Sequence, residues 1–331
     1  MLSYKNIFDS LGLREWCDES KSNSLMSLSQ LRGDIIEWWE LPFPSLDNLH
    51  KACSAIPQTR DLTSSLEAGF LMIRPSLRLV LDPLTQPLSW ALEYALLFFT
   101  TMPWWVLVPL ILLSAQFATK SFRITFLVAI CFVFFLFIDH YEYAIQTLSI
   151  IFVCTVLCTL IGIPIGILMS KKDLAQRMIT PVLDMLQTLP TFVYLIPLIF
   201  LFKITEPKLY GLAIMFYSIV PVIRLTNLGI RLVDKNLIEA ADAYGMTARQ
   251  KLMKVEIPLA LPNIMAGVNQ TLMLALSMVV IAALIGAGGL GLTVYVALGR
   301  LDIGSAVIGG TGIVILAIIL DRITQKLVKT K

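Results

Sequence analysis

Residues 237–262, Leu-Ile-Glu-Ala-Ala-Asp-Ala-Tyr-Gly-Met-Thr-Ala-Arg-Gln-Lys-Leu-Met-Lys-Val-Glu-Ile-Pro-Leu-Ala-Leu-Pro, form the most polar stretch of an otherwise apolar second half. These residue types suit recognition. Glu239 and Asp242 offer carboxylates that can pair with basic groups across a contact, and Ala240, Ala241 and Gly245 are small enough for a partner groove to come close. Chemistry of other kinds is missing from the sequence. It has no G-x-x-x-x-G-K-[ST] phosphate loop, so if ATP drives this chain another polypeptide must bind it. It has no Ser/His/Asp constellation, no His-Glu-x-x-His and no carboxylate pair within an apolar run, which disfavours an embedded protease or a proton-coupled carrier. His50 and His140 are isolated, and the five cysteines have no metal spacing. Cys131, Cys154 and Cys158 lie in apolar runs and read as packing residues; Cys17 and Cys53 lie in a polar head and can pair if that head is exported.

The recognition residues need a scaffold, and the local signals describe one. Leu237 to Tyr244 is rich in helix formers, and Gly245 stands where a left-handed C-cap would go. Thr247 can cap a second helix, with Gln250 three residues on completing a capping box. Lys251 and Lys254 fall in its last turns, and Pro258 and Pro262 are expected to stop it before the next apolar run. A helix–glycine–helix of this kind is either a plain connector or a docking element.

The surroundings are membrane. The chain of 331 residues is 57 % hydrophobic with a mean hydropathy of +0.78, above the about 45–50 % apolar content of soluble domains. A net charge of +3 is too small to point to nucleic acid. Residues 1–102 form a head with eight Lys/Arg and twelve Asp/Glu, loosely structured at first, with Trp38-Trp39 as a local contact or interface anchor. Segments 68–81 and 88–101 read as two amphipathic surface helices, the second able instead to span. Seven apolar runs follow, at 103–118, 122–138, 144–169, 189–205, 209–223, 264–285 and 304–320. Between them, Lys120/Arg123, Lys171/Lys172/Arg177 and the basic loop 224–262 alternate with the acidic link 139–142 and the short link 203–208. The positive-inside rule then places the head outside and the loop 224–262 and the C-terminal tail in the cytoplasm. Residues 181–190 read as a short cytoplasmic surface helix, and Gly286, Gly288, Gly289 and Gly291 as a flexible external re-entry, either a tight loop or a gate hinge. In the sixth run, Asn269 and Gln270 either join helices by hydrogen bonds or line a solute path.

Glu239-Ala240-Ala241, Gly245 and Ile257-Pro258-Leu259-Ala260-Leu261-Pro262 together resemble the "EAA" loop of ABC-importer permeases. Leu183-Asp184-Met185-Leu186-Gln187-Thr188, Phe192-Val193-Tyr194-Leu195-Ile196-Pro197, the run from Ile264 to Ala282, Gly299-Arg300-Leu301-Asp302 and Ile313 to Arg322 look like the permease subunit of glycine betaine/proline betaine importers. The likeness covers about residues 100–325; Thr247-Ala248 stands where many members have Ser-Pro, and the head carries no family motif.

The resemblance implies an all-α polytopic permease of the type I, MetI-like architecture, with about seven spanning helices plus amphipathic N-terminal helices. Its parts are an extracytoplasmic extension 1–102, two leading helices 103–142, a permease core 143–322 with the coupling loop 224–262, and a cytoplasmic tail 323–331. It implies an ATPase-coupling surface at Glu239, Ala240, Ala241, Asp242 and Gly245, with Pro258 and Pro262 fixing its exit. Its partners would be an ABC ATPase subunit that holds the ATP and Mg, an extracytoplasmic substrate-binding protein, a second permease copy and the lipid bilayer of a bacterial inner membrane; the chain itself would bind no cofactor. The implied solute is a quaternary ammonium compound, which aromatic faces such as Phe192, Tyr194, Phe216, Tyr217 and Tyr295 can attract. Phe192 and Tyr194 join Asn269 and Gln270 as path candidates. Choline, carnitine or a sulfonium analogue is the alternative cargo, and a stand-alone secondary carrier or channel the alternative class.

Overall fold

The computed structural model describes Phe8, residues 11–13, Cys17, residues 43–53 and residues 55–329. Trp38 and Trp39 lie outside the described residues. The chain divides into two compact units, Met1–Leu77 and Arg78–Lys331. In the first, Cys17 and Cys53 are joined by a disulfide, and helix α1 (Leu46–Ala52) is capped by Ser45.

Helix α2 (Thr59–Thr101) is continuous where two helices, 68–81 and 88–101, are expected. Pro83 and Pro87 mark the expected interruption. A tertiary anchor overrides it: Lys208, 4 % exposed, donates to Asp82 at 2.7 Å and to Gln86 at 3.4 Å, two residues one turn apart on one helix face. Glu206 at 3.2 Å and the Phe202 ring complete the lysine's surroundings, and Arg78 pairs with both Asp82 and Glu206.

The rest is helical too: α3 (Trp104–Thr119), α4 (Phe122–Phe137), α5 (Tyr141–Lys171), α6 (Asp173–Thr188), α7 (Thr191–Leu201) and α8 (Pro207–Arg231). Then come α9 (Lys235–Ala243), α10 (Ala248–Lys251), a π-turn (Leu252–Glu256), α11 (Ile257–Ala283), α12 (Leu290–Arg300) and α13 (Ile303–Lys329). Every expected apolar run is a helix, but fewer than the seven expected are, by themselves, long and apolar enough to cross a membrane. Among the described residues four stretches are long and apolar enough to cross a membrane: α5, α8, Ala248–Ala283 and α13. Two bent pairs raise that to six if each is one span: α2 with α3, at 112°, and α6 with α7, at 96°. The shortfall is one of length. Helices α3, α4 and α7 have 16, 16 and 11 residues, hence about 24 Å or less against a hydrocarbon core of about 30 Å.

Helix α8 is the axis of the bundle. It runs parallel to α5, because α6 and α7 bring the chain back between them; Cys154 meets Gly211, Cys158 meets Met215 and Ser218, and Gly166 meets Thr226. Gly162 and Gly166 let the backbones close up. A Cβ at Gly162 would lie 2.4 Å from Val222 Cγ1, and one at Gly166 would lie 2.7 Å from the Ile223 carbonyl oxygen. On its other flank α8 runs antiparallel to α11, where Gly229 meets Ala260 and Asn263 and Gly267 meets Val222. Helices α12 and α13 form a hairpin against α11. The glycines at 286–291 make a tight, packed turn instead of a flexible one: Leu290 N–H donates to Thr147 Oγ1 at 2.8 Å, and Gly286, at φ +98°, sits against the Ile204 carbonyl.

These directions give the bundle two end faces. One carries the starts of α5 and α8, with Tyr141 and Lys208; the other carries their ends, Lys171 and Arg231, with the polar stretch 235–256. Replacing Gly166 by leucine should overpack the α5–α8 contact, at a cost of about 1–3 kcal/mol. The thermal midpoint of the detergent-solubilised protein should fall, whereas Gly310→Leu, where a Cβ meets nothing within 4 Å, should leave it unchanged.

Candidate functional site

The stretch 235–256 folds as an elbow of two short helices, closed by the caps its sequence implies. Asp234 caps α9 by accepting from Asn236 N–H. At its far end Gly245, at φ +71°, donates to Asp242 O and Met246 N–H donates to Ala241 O, the paired bonds of a Schellman motif. The Thr247–Gln250 capping box is formed in both directions. Lys251 then pairs with Asp242 at 2.6 Å, locking the second helix back onto the first.

The helix does not stop at Pro258. It runs from Ala248 to Ala283, through the π-turn, with Pro258 in the first turn of α11 and Pro262 inside it. The π-turn explains the passage. Ile257 N–H bonds back to Leu252 O, so the ladder is already reset when Pro258, which has no N–H, enters it.

Glu239, Ala240, Asp242 and Gly245 face solvent, as do Pro258 and Pro262; Ala241 is buried beneath the elbow. A notch of about 390 Å³ opens beside it, lined by Leu237, Ala241, Tyr244, Met246, Pro258 and Leu259 among others. Tyr244 stands 85 % exposed at its rim. Exposed carboxylates thus lie beside an apolar notch with an exposed tyrosine at its rim, a combination of residue types common at protein–protein contacts. Tyr244, Leu237 and Met246 supply much of the notch's lining, and the sequence marks them only through the cap that ends the helix at Tyr244.

Beneath the elbow, ion pairs tie the helix ends together. Arg231, the last residue of α8, donates to Met169 O at 3.0 Å and to Asp173 at 2.7 Å. This guanidinium holds the Asp173 carboxyl below its usual range. Arg224 pairs with Asp184 of α6, and Lys171 of α5 pairs with Glu256.

The path candidates do not converge. Asn269 and Gln270 line a groove of about 530 Å³ between α11 and α13, with Met265, Met273, Asp321 and Thr324 also on its walls. Asn269 spends its amide on helix contact: Nδ2 donates to Asp321 at 2.8 Å and Oδ1 accepts from Thr324 at 2.6 Å. Gln270 is exposed in the groove. Phe192 and Tyr194 sit on α7 and do not line it; the Tyr194 ring packs edge-on against Phe216 at 6.4 Å. No group of His, Cys, Asp and Glu suited to a metal occurs among the described residues.

Residues 160–330 match the family described as binding-protein-dependent transport system inner membrane component. The chain is similar to the glycine betaine/proline betaine transport system permease protein ProW of Escherichia coli (strain K12), with 52 % identity over 57 % of this chain and 53 % of the relative. It is similar also to the glycine betaine transport system permease protein OpuAB of Bacillus subtilis (strain 168), with 46 % identity over 66 % of this chain and 79 % of the relative. The choline transport system permease protein OpuBB of the same organism is 32 % identical over 54 % of this chain and 82 % of its own length. The chain thus spans about half the length of the Escherichia coli relative. A solved structure of the MetNI methionine ABC transporter in an inward-facing conformation shares the fold, with a TM-score of 0.52 at 21 % identity over 56 % of this chain and 92 % of that one.

The two polar residues of α11 should separate on mutation. Asn269→Ala removes two interhelical hydrogen bonds, worth about 0.6–2 kcal/mol each in a bilayer, and should lower the thermal midpoint. Gln270→Ala should leave it unchanged. Wild-type solute flux through both variants would end their candidacy as path residues.

Proposed function

The chain belongs to the binding-protein-dependent transport system inner membrane components, and on that premise we propose that it is the membrane-spanning permease of an ATP-driven importer of glycine betaine, proline betaine or a related quaternary ammonium solute. The observation that carries the reading is the elbow at 235–256, with its exposed Glu239, Asp242 and Tyr244, inside the family-matched stretch 160–330 of a chain that is 46 % identical over 226 residues to a glycine betaine permease. It is a docking element for a separate ATPase subunit, which holds the ATP and Mg; this chain supplies no catalytic group. Choline, carnitine or a sulfonium analogue is the second choice of cargo, favoured by the weaker likeness to a choline permease.

The elbow faces the cytoplasm in this reading. Its end of the bundle carries Lys171, Lys172, Arg177, Arg224, Arg231, Lys235, Arg249, Lys251 and Lys254, in keeping with the positive-inside rule. With the short helices α3 and α4 each crossing as well, seven crossings make residues 1–102 extracytoplasmic, and the Cys17–Cys53 disulfide supports that side, since such bonds persist in oxidising compartments. Residues 103–142 lead into the permease core 143–322, and residues 323–331 are a cytoplasmic tail. Two copies pair around a central path. ATP binding closes the ATPase dimer, the elbows move with it, and the helices turn from inward- to outward-open so that the docked binding protein releases its solute.

The test is reconstitution. The chain, its ATPase and its binding protein in liposomes should accumulate glycine betaine only when ATP is supplied on the elbow's side. Gly245→Asp should insert normally, because nothing lies within 4 Å of the new Cβ and aspartate tolerates a left-handed backbone. It should nevertheless lose ATPase co-purification or ATP-driven uptake. Unchanged uptake by that variant, or ATP-independent flux through the chain alone, would point to a carrier or channel instead.

A further inference from the structure

Glu256 is out of character with the elbow it closes. The elbow is mostly solvated, yet this carboxylate is 2 % exposed. The π-turn aims it inward: one extra residue in the turn rotates the succeeding side chains by about 100°. Its partner is Lys171 Nζ, on the final residue of α5. The other end of the elbow is fastened to the same place, because Arg231 binds the Met169 carbonyl and Asp173. Residues 169–173 therefore receive both ends of the elbow, while the ion pair within it, Asp242–Lys251, is internal.

We propose that the Lys171–Glu256 pair is the strut through which a displacement of the elbow is delivered to α5, and that Glu256 is a positioning residue for transport. The inference rests on the permease reading above. Only the carboxylate of this pair is buried, the Lys171 side chain being 42 % exposed, and such a pair is a poor device for stability alone, since a neutral pair of similar volume is often as stable. It is a good device for holding two elements in one register while both move, because a carboxylate taken out of water has few other partners and its attraction to the ammonium depends on distance. What the strut moves is rigid. Helix α5 is pressed onto α8 at Gly162 and Gly166, so a push at Lys171 carries both helices. Helix α11 starts at the residue after Glu256, and Ile264 and Ala260 near its start pack with Ile230 of α8.

The test uses the complete reconstituted complex, with glycine betaine as the solute, and reads solute moved per ATP hydrolysed beside the thermal midpoint. Glu256→Gln should assemble and hydrolyse ATP but move about tenfold less solute per ATP, a typical size for the coupling between two sites. Lys171→Met should lose both coupling and stability, since it strands a buried carboxylate. The double variant Lys171→Met/Glu256→Gln strands no charge and should recover the midpoint without recovering the coupling. Lys171→Arg, which keeps the charge, should couple nearly as wild type. A double variant that regains coupling together with stability, a Glu256→Gln variant with the wild-type ratio, or one that fails to assemble would overturn the strut. If the wild-type complex itself moves no glycine betaine in response to ATP, the permease reading fails instead.

Discussion

Two helices pressed together where one of them has only glycines to offer hold this structure in order. Gly162 and Gly166 of α5 meet Val222, Ile223 and Thr226 of α8 at distances that leave no room for a methyl group. In a bilayer the lipid tails compete equally for apolar surface, so helices associate by close packing and by hydrogen bonds across the interface. Close approach fixes α5 and α8 as a parallel pair. A parallel pair requires a return crossing, which α6 and α7 provide, and it puts both helix ends, Lys171 and Arg231, on one face with the elbow.

Charge obeys the same economy of the bilayer. The charged residues of α5 and α8 lie toward the ends of those helices, α11 carries none, and the two most deeply buried charged groups among the described residues are paired across elements. Lys208 sits between Asp82 and Glu206 at one face, and Glu256 sits against Lys171 at the other. Each fastens a segment that the apolar bundle would not hold by itself. Lys208 binds the middle of α2, which keeps that helix unbroken past two prolines, and Lys171 binds the base of the elbow. One lysine thus organises the approach of α2, and another the junction between the elbow and the helices beneath it.

The features legible in the sequence were local. The Gly245 cap, the Thr247–Gln250 box and the apolar runs involve residues within a few positions of one another, and each forms as its pattern implies. Those that escaped were long-range or cooperative. Pro258 reads as a stop because a proline inside an α-helix forfeits a hydrogen bond, but the π-turn ahead of it resets the ladder and the helix continues. The run 189–205 is apolar enough to span but shortens to eleven residues, because the chain turns by 96° between α6 and α7. The Lys171–Glu256 pair joins residues 85 positions apart, and no local pattern announces it. The spacing Gly162-x-x-x-Gly166 is a small-residue signature of helix contact that was present to be read.

In the proposed reading these parts make one device: an exposed elbow that would take up motion from an ATP-hydrolysing partner, and a glycine-packed helix pair that would carry it across the membrane. Everything in it depends on the elbow lying in the cytoplasm beneath that partner. The most direct measurement is the labelling of a cysteine placed at Tyr244, in a background without Cys131, Cys154 and Cys158, by a membrane-impermeant maleimide. The label should react in inside-out vesicles and not in right-side-out ones, with protection when the ATPase subunit is bound. Labelling from the outer face, or labelling that the bound ATPase leaves untouched, would contradict the cytoplasmic elbow and the device built on it.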